Sequence, residues 1–172
     1  MWVELKGPKI LWQSGGAISA KTVLIVYDPD PIYNFDEQVC LSFAQGFVDR
    51  GIKVNVATVA ATEDLKSQSF DAYVFCANTY NWHPDWALSK FIKNQSLNNK
   101  PVIAITVGSG NTSLSQEALE EIIANSHGKI LASRSFWLMK PNDKKRIKEA
   151  NVNVAKSMVN AWATEIAGQI QP

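Results

Sequence analysis

Three short segments of this chain carry residues that could do chemistry. The first is Asn78-Thr79-Tyr80-Asn81-Trp82, followed closely by His83, Asp85 and Trp86. Amides and a hydroxyl alternate there with aromatic rings, a set that holds a planar ligand by its edge and its face. Stacking adds about 1 kcal/mol beyond area burial. The second is Gly108-Ser109-Gly110-Asn111, whose glycines let backbone amides approach a flat ligand closely. No third glycine follows at the spacing of a dinucleotide fingerprint, which disfavours a Rossmann dehydrogenase. The third is Asp28-Pro29-Asp30-Pro31-Ile32-Tyr33-Asn34. Its only hydroxyl is that of Tyr33, and Pro29 and Pro31 remove two amide donors. Asn34 with Glu37 reads as a capping-box-like pair that satisfies the following helix from within. A phosphate wants free amides and no anionic neighbours, and a like charge about 4 Å away costs roughly 1–4 kcal/mol. The third segment is therefore a poor phosphate seat.

Other candidates have plainer readings. His83 could donate a proton to a ligand. Only Asp85 stands near it as a partner acid, so a solvated loop histidine is the stronger reading. His127, just before Gly128, reads as a partner of a helix C-terminal dipole. Cys40 and Cys76 read as small buried hydrophobes. Two cysteines make neither a zinc site nor a disulfide framework, and the neighbours of Cys76 supply no base. Lys144-Lys145-Arg146-Ile147-Lys148 could draw an acidic partner or a dinucleotide phosphate; opening the last helix, it reads better as a solvated face. Trp137 and Trp162 are expected in the core.

The elements that must position these segments alternate regularly. Thr22–Tyr27 is a β-branched apolar run of the buried-strand type. Val39, Cys40, Phe43, Ala44, Phe47 and Val48 form a helical stripe, closed by Gly51 at the C′ position. Ile52 to Val59 reads as a strand with a wetter face at Lys53 and Asn55. Ala72 to Ala77 and Pro101 to Val107 read as further strands, with a short helix between them. Leu114, Ala118, Leu119, Ile122 and Ile123 mark a helix, with Ser113 and Gln116 as its capping box. Ile130 to Met139 is a more irregular strand, and Ile147 to Ile166 carry a long closing helix. This order is an α/β three-layer sandwich, a parallel sheet with helices on both faces. Ligands then bind beyond the carboxyl ends of the strands, where all three segments fall. Residues 1–21 read as an N-terminal extension or linker, and 22–172 as one domain.

Composition bounds the partners. The chain has 172 residues, 46% hydrophobic and 19% charged, with a net charge of +1. That suits a folded domain and gives no field for nucleic acid. No apolar run approaches a bilayer span, and a cytoplasmic location is expected. A membrane-tethered form with an anchor ahead of residue 1 stays open. The halves differ in charge. Residues 1–86 hold six basic and ten acidic side chains and residues 87–172 eleven and six, a net −4 against +5. Ordinary surface variation is the default reading of that asymmetry.

On Val23–Tyr27 with Gly51, Asp71–Tyr80 and Lys100–Gly110, the chain resembles the flavodoxin-like superfamily over residues 22 to 167. The moderately specific element is Ala77-Asn78-Thr79-Tyr80, where the family has a small residue and Pro-Thr-Tyr. The resemblance implies a five-stranded parallel sheet of order 2-1-3-4-5 and FMN across the three loops. Tyr80 or Trp82 would stack on the isoalloxazine, Asn78 and Thr79 would bond near its ring nitrogens, and Gly108 to Asn111 would meet its pyrimidine edge. Asp28, Pro29, Tyr33 and Asn34 would stand at the phosphate, in place of the family's Ser/Thr-rich loop ending Gly-Asn-Thr. Asp28-Pro29 matches a family subgroup whose first loop starts Tyr-Asp-Pro. The implied function is electron transfer with an unknown redox partner, or a flavin-dependent reductase. Carriers of the family are strongly acidic, which this chain is not. The alternative is a binding module on the same scaffold that has lost flavin and recognises a small ligand or a protein.

Overall fold

The computed structural model describes residues 7–15 and 21–170. Trp2, Val3, Leu5 and Gly16, placed above in the extension, lie outside the described residues. The elements in chain order are β1 (Leu11–Ser14), β2 (Thr22–Tyr27), α1 (Phe35–Val48), β3 (Lys53–Thr58), a 3-10 segment (Val59–Leu65), β4 (Ala72–Tyr80), β5 (His83–Pro84), α2 (Trp86–Lys93), β6 (Pro101–Gly108), α3 (Ser113–Asn125), β7 (Lys129–Trp137), a 3-10 turn (Lys144–Arg146) and α4 (Asn151–Ile170).

Strands β3-β2-β4-β6-β7 run parallel, in the expected order 2-1-3-4-5. Two additions enlarge that sheet. Leu11–Ser14 pairs antiparallel with β3 and covers its edge, and β5 pairs antiparallel with the end of β4. Residues 1–21 read above as an extension or linker; part of that segment is a strand. Four residues broken by nearby Gly and Pro give too little pattern for that to be read, and the edge amides of β3 supply the pairing. The irregularity of β7 is a one-residue slip at Leu131, since Val102 pairs with Ile130 and Ile103 with Ala132.

Alternation along the strands splits the core in two. Val23, Ile25 and Tyr27 face α1 and α4, where Phe43, Phe47 and Val159 meet them. Leu24 and Val26 face the other layer, with Leu88, Ile92, Leu119 and Ile123. Phe43 packs edge-on against Phe47 at 4.7 Å and Trp162 at 5.7 Å between ring centroids. Gly46 lets α1 and α4 touch: a Cβ there would stand 2.6 Å from the Asn160 carbonyl and 2.8 Å from Ala163 Cβ. Gly51, with φ +81°, turns the chain out of α1 as expected.

Several local expectations are corrected. Asn55 is fully buried rather than on a wetter face, its side-chain oxygen accepting from Gln13 Nε2 of β1. The added edge strand is what covers it. Ser113 does not form a capping box with Gln116. The N-cap is Thr112, and Gln116 is drawn across to Ser133 and Ser135 of β7. Lys144–Arg146 does not open the last helix; it is a separate turn, and α4 begins at Asn151. Asn151 Nδ2 donates to the carbonyls of Trp137, Leu138 and Lys140, which holds that connection as a loop.

Candidate functional site at the carboxyl rim of the sheet

The parallel strands end on one rim, and the three segments meet there. Strand β4 runs past the sheet and folds back through β5, with Asn81 at φ 47° and Trp82 at φ 64°. Two left-handed residues between Tyr80 and His83 make the primed two-residue turn of a tight hairpin. Glycine is the usual second residue. A tryptophan there costs about 1 kcal/mol, and strain of this kind gathers where a side chain must be presented. Trp82 is exposed, with Tyr80 and Trp86 beside it, and Lys90 Nζ lies 4.6 Å from the centre of the Trp86 ring. A shallow groove of about 470 Å³ runs beneath the hairpin between Tyr80, His83, Asp85 and Trp86 and the α2–α3 surface at Ser89, Lys93 and Ile122. His83 itself is solvent-exposed.

Asn78, expected at a ligand's edge, is buried and committed to the chain. Its Nδ2 donates to the Asp28 carbonyl at 2.9 Å and to Asp36 Oδ2 at 2.8 Å. Its backbone N–H donates to Asp85 Oδ2 at 3.0 Å, and its carbonyl accepts from the Asp85 N–H. Asp85 also caps α2 by accepting from Leu88 N–H. The neighbouring Thr79 Oγ1 is buried with no partner. It lies 3.3 Å from where a Gly108 Cβ would stand, with Thr112 Cγ2 at 2.7 Å. Gly108 is thus required by close packing of the chain on itself.

The first loop is closed on itself by carboxylates. Asp36 Oδ2 accepts from the Asp30 N–H at 2.9 Å, and Asp36 Oδ1 from the Glu37 N–H at 2.8 Å. Asp30 Oδ1 accepts from the Ile32 N–H at 2.8 Å, an Asx turn. Asn34 sits at the N-cap in a left-handed conformation with no side-chain cap. The expected Asn34–Glu37 box is absent because Asp36 does its work. Tyr33 is exposed. Burial pushes the carboxyls of Asp36 and Asp28 above the usual range, and their mutual repulsion adds to it for Asp28. Burial also raises Asp85, to about 7, with Asp28 and Asp36 opposing its charge and the two amides favouring it. Tyr80 stands beside these carboxyls; burial and then their charges push its hydroxyl up to about 12.

The third segment is fastened to the loop after β7. Leu138 N–H donates to the Gly108 carbonyl, and Met139 and Lys140 N–H to the Ser109 carbonyl. Trp137 is not in the core: half-buried on the rim, it donates Nε1 to Thr112 Oγ1 at 3.0 Å and carries Lys140 Nζ 4.1 Å from its ring centre. Trp162 does pack against the core. Gly110 faces the Lys140 side chain, and Asn111 is exposed. The cysteines behave as expected, both buried and in contact with each other; burial raises the Cys40 thiol pKa against a lowering contribution from Cys76, and the hydrogen bond with Cys40, then burial, raises that of Cys76. Among the described residues no group of His, Cys, Asp and Glu is arranged to hold a metal ion, and no helix is long and apolar enough to cross a membrane.

The structure thus brings together all three expected segments, but as a self-bonded rim. The residues that decide its chemistry include two the sequence reading did not single out, Asp36 and Asn151. Asp36 has a signal in hindsight, an acid at the second residue of a helix after two prolines; Asn151 has none.

No family model matches the chain, and no curated protein matches it. Solved structures do match its fold. A flavodoxin from Pseudomonas aeruginosa superposes with a TM-score of 0.68 at 15% identity, covering 88% of this chain and 99% of that one. A flavodoxin from the domain Archaea gives 0.65 at 9%, with coverage of 88% and 99%. The flavodiiron core of a Synechocystis protein gives 0.66 at 13%, with 90% of this chain and 37% of that one. Such identities speak for architecture alone, and with the strand order they show that this chain has the flavodoxin-like fold.

Proposed function

We propose that this chain is a flavodoxin-fold binding domain that takes a ligand or protein partner on its carboxyl rim without a phosphate seat. The observation that carries this reading is Asp36. Its two oxygens hold the amides of Asp30 and Glu37 and the side-chain amide of Asn78, so a first-turn amide of α1 and the loop before it are bound by the chain's own carboxylate. A phosphomonoester would have to displace that carboxylate or lie against Asp28 and Asp30. Phosphate binding at a helix start depends on open amides and a positive field; here Asp36 takes the Glu37 amide of the first turn, and the carboxylates of Asp28, Asp30 and Asp36 oppose that field. These residues do not fit the phosphate of FMN.

A second reading is supported by a different observation. Tyr80 and Trp82, the rings that the resemblance assigns to an isoalloxazine, are exposed and side by side on the hairpin. On that reading the domain binds FMN and serves electron transfer or a flavin-dependent reductase. One titration separates the two. Purified protein is titrated with FMN and, separately, riboflavin, following flavin absorbance and fluorescence quenching to about 50 µM, where even weak stacking registers. No response to FMN supports the first reading. FMN bound more tightly than riboflavin, or protein that purifies yellow, refutes it.

A further inference from the structure

Exposed large apolar side chains are not scattered over this molecule. Among the described residues every one stands at the carboxyl rim. Ile32 and Tyr33 follow β2, Trp82 and Trp86 follow β4, and Met139 and Ile147 follow β7. The rest fit the same end: Tyr80 closes β4, Leu114 opens α3, and Ile10 and Leu11 lie beside Thr58 and Ala57 at the end of β3. The opposite end, where the helices run back into the strands, buries its apolar groups, among them Ile52, Phe70 and Leu97. Single exposed hydrophobes are ordinary, but a contiguous set on one face marks a surface that is covered by something.

The charge on that rim identifies the cover. In the layer of α1 and α4, the loop after β2 and the start of α1 carry Asp28, Asp30 and Glu37. The loop after β7 carries Lys140, Lys144, Lys145 and Lys148 with Asp143, and an Arg146–Glu149 ion pair, so it stays net basic. The asymmetry of the two halves of the sequence is therefore concentrated at two sides of one apolar surface, acidic under β2 and basic under β7. An anionic membrane would be repelled by the first side and a basic partner by the second. A second copy of the same surface answers both. Two-fold axes lying in the rim come in two kinds. One along the sheet's width would set acid on acid. One normal to the sheet sets β7 of each copy opposite the β2 side of the other and keeps the α1/α4 layers adjacent, so Lys144 and Lys145 meet Asp28 and Glu37 twice over. That axis passes between β4 and β6 and covers β2, β4, β6 and β7 of each copy; four strands about 4.8 Å apart and three layers about 10 Å apart make a face of roughly 400–600 Å² per partner, the size of a weak, concentration-dependent dimer.

We infer that the carboxyl rim is a self-complementary interface, joining two copies end to end about a two-fold axis normal to the sheet. This rests on the reading of the rim as a binding surface and names its partner. Sedimentation of the whole chain across a concentration series tests it, with two charge-reversed proteins. One carries Lys144→Glu and Lys145→Glu, the other Asp28→Lys and Glu37→Lys. Wild type should dimerise, and each variant alone should have a dimer dissociation constant raised at least tenfold. An equimolar mixture of the two should dimerise again, because each now presents the charge the other lacks. Trp82→Ser, at an exposed hairpin tip, should weaken the wild-type dimer with circular dichroism and melting unchanged. A monomeric wild type, variants that dimerise undiminished, or a mixture no better than its parts would overturn the inference. So would monomers that sediment with anionic vesicles. None of these failures alters the flavin titration, which tests the rim's ligand chemistry separately.

Discussion

Raising the pH from about 5 to about 8 should weaken this fold, and Asp85 should account for most of the loss. Its carboxyl sits at about 7 in the folded chain against 3.8 as an ordinary side chain, chiefly because it is buried. The folded state then holds a proton over a range in which the unfolded state has released it. Stability contributed by such a group is complete below the unfolded pKa and is lost as pH rises through the folded one. With about 1.4 kcal/mol per unit of pKa, the loss between pH 5 and 8 comes to roughly 2–3 kcal/mol. Asp28 and Asp36 are raised as well, so they act with the same sign. The assay is urea unfolding at several pH values for wild type and Asp85→Asn. In the variant the acceptor oxygen can still meet one of Leu88 N–H and Asn78 N–H, while its amide faces the other. It should be the weaker protein at pH 5 and close most of that gap by pH 8, where wild type must bury a charge. A wild-type stability that stays level or climbs over this interval would refute the reasoning. So would an Asp85→Asn profile parallel to the wild type's.

Two further outcomes follow from the core. Gly46→Ala should destabilise by roughly 1–3 kcal/mol despite alanine's better helix propensity, because the new Cβ would press on the Asn160 carbonyl of α4; a variant as stable as wild type in urea would show that α1 and α4 can part freely. Cys40 and Cys76 are fully buried with raised pKa values, so both thiols should resist a disulfide reagent in the native state and react on unfolding. Fast labelling of either would contradict their placement.

The strands and helices, their order and the rim at which the three segments meet were legible from local pattern. The run Thr22–Tyr27, the stripe from Val39 to Val48 and the entry at Pro101 each encode an element within a few residues, and right-handed crossovers leave few ways to assemble them. The use to which the rim residues are put was not legible, because it depends on partners far apart in the sequence. Asn78 looks like a ligand-binding amide until Asp36, 42 residues earlier, is placed against it. Gly108 looks like an approach for a cofactor until Thr79 and Thr112 close on it. Trp137 alternates as a core residue does, yet the end of its strand carries it onto the rim, where Thr112 takes its N–H. Sequence fixes what a side chain can offer to a neighbour. Only the assembled sheet decides which neighbour arrives first, because a hydrogen bond made within the chain removes that group from any ligand.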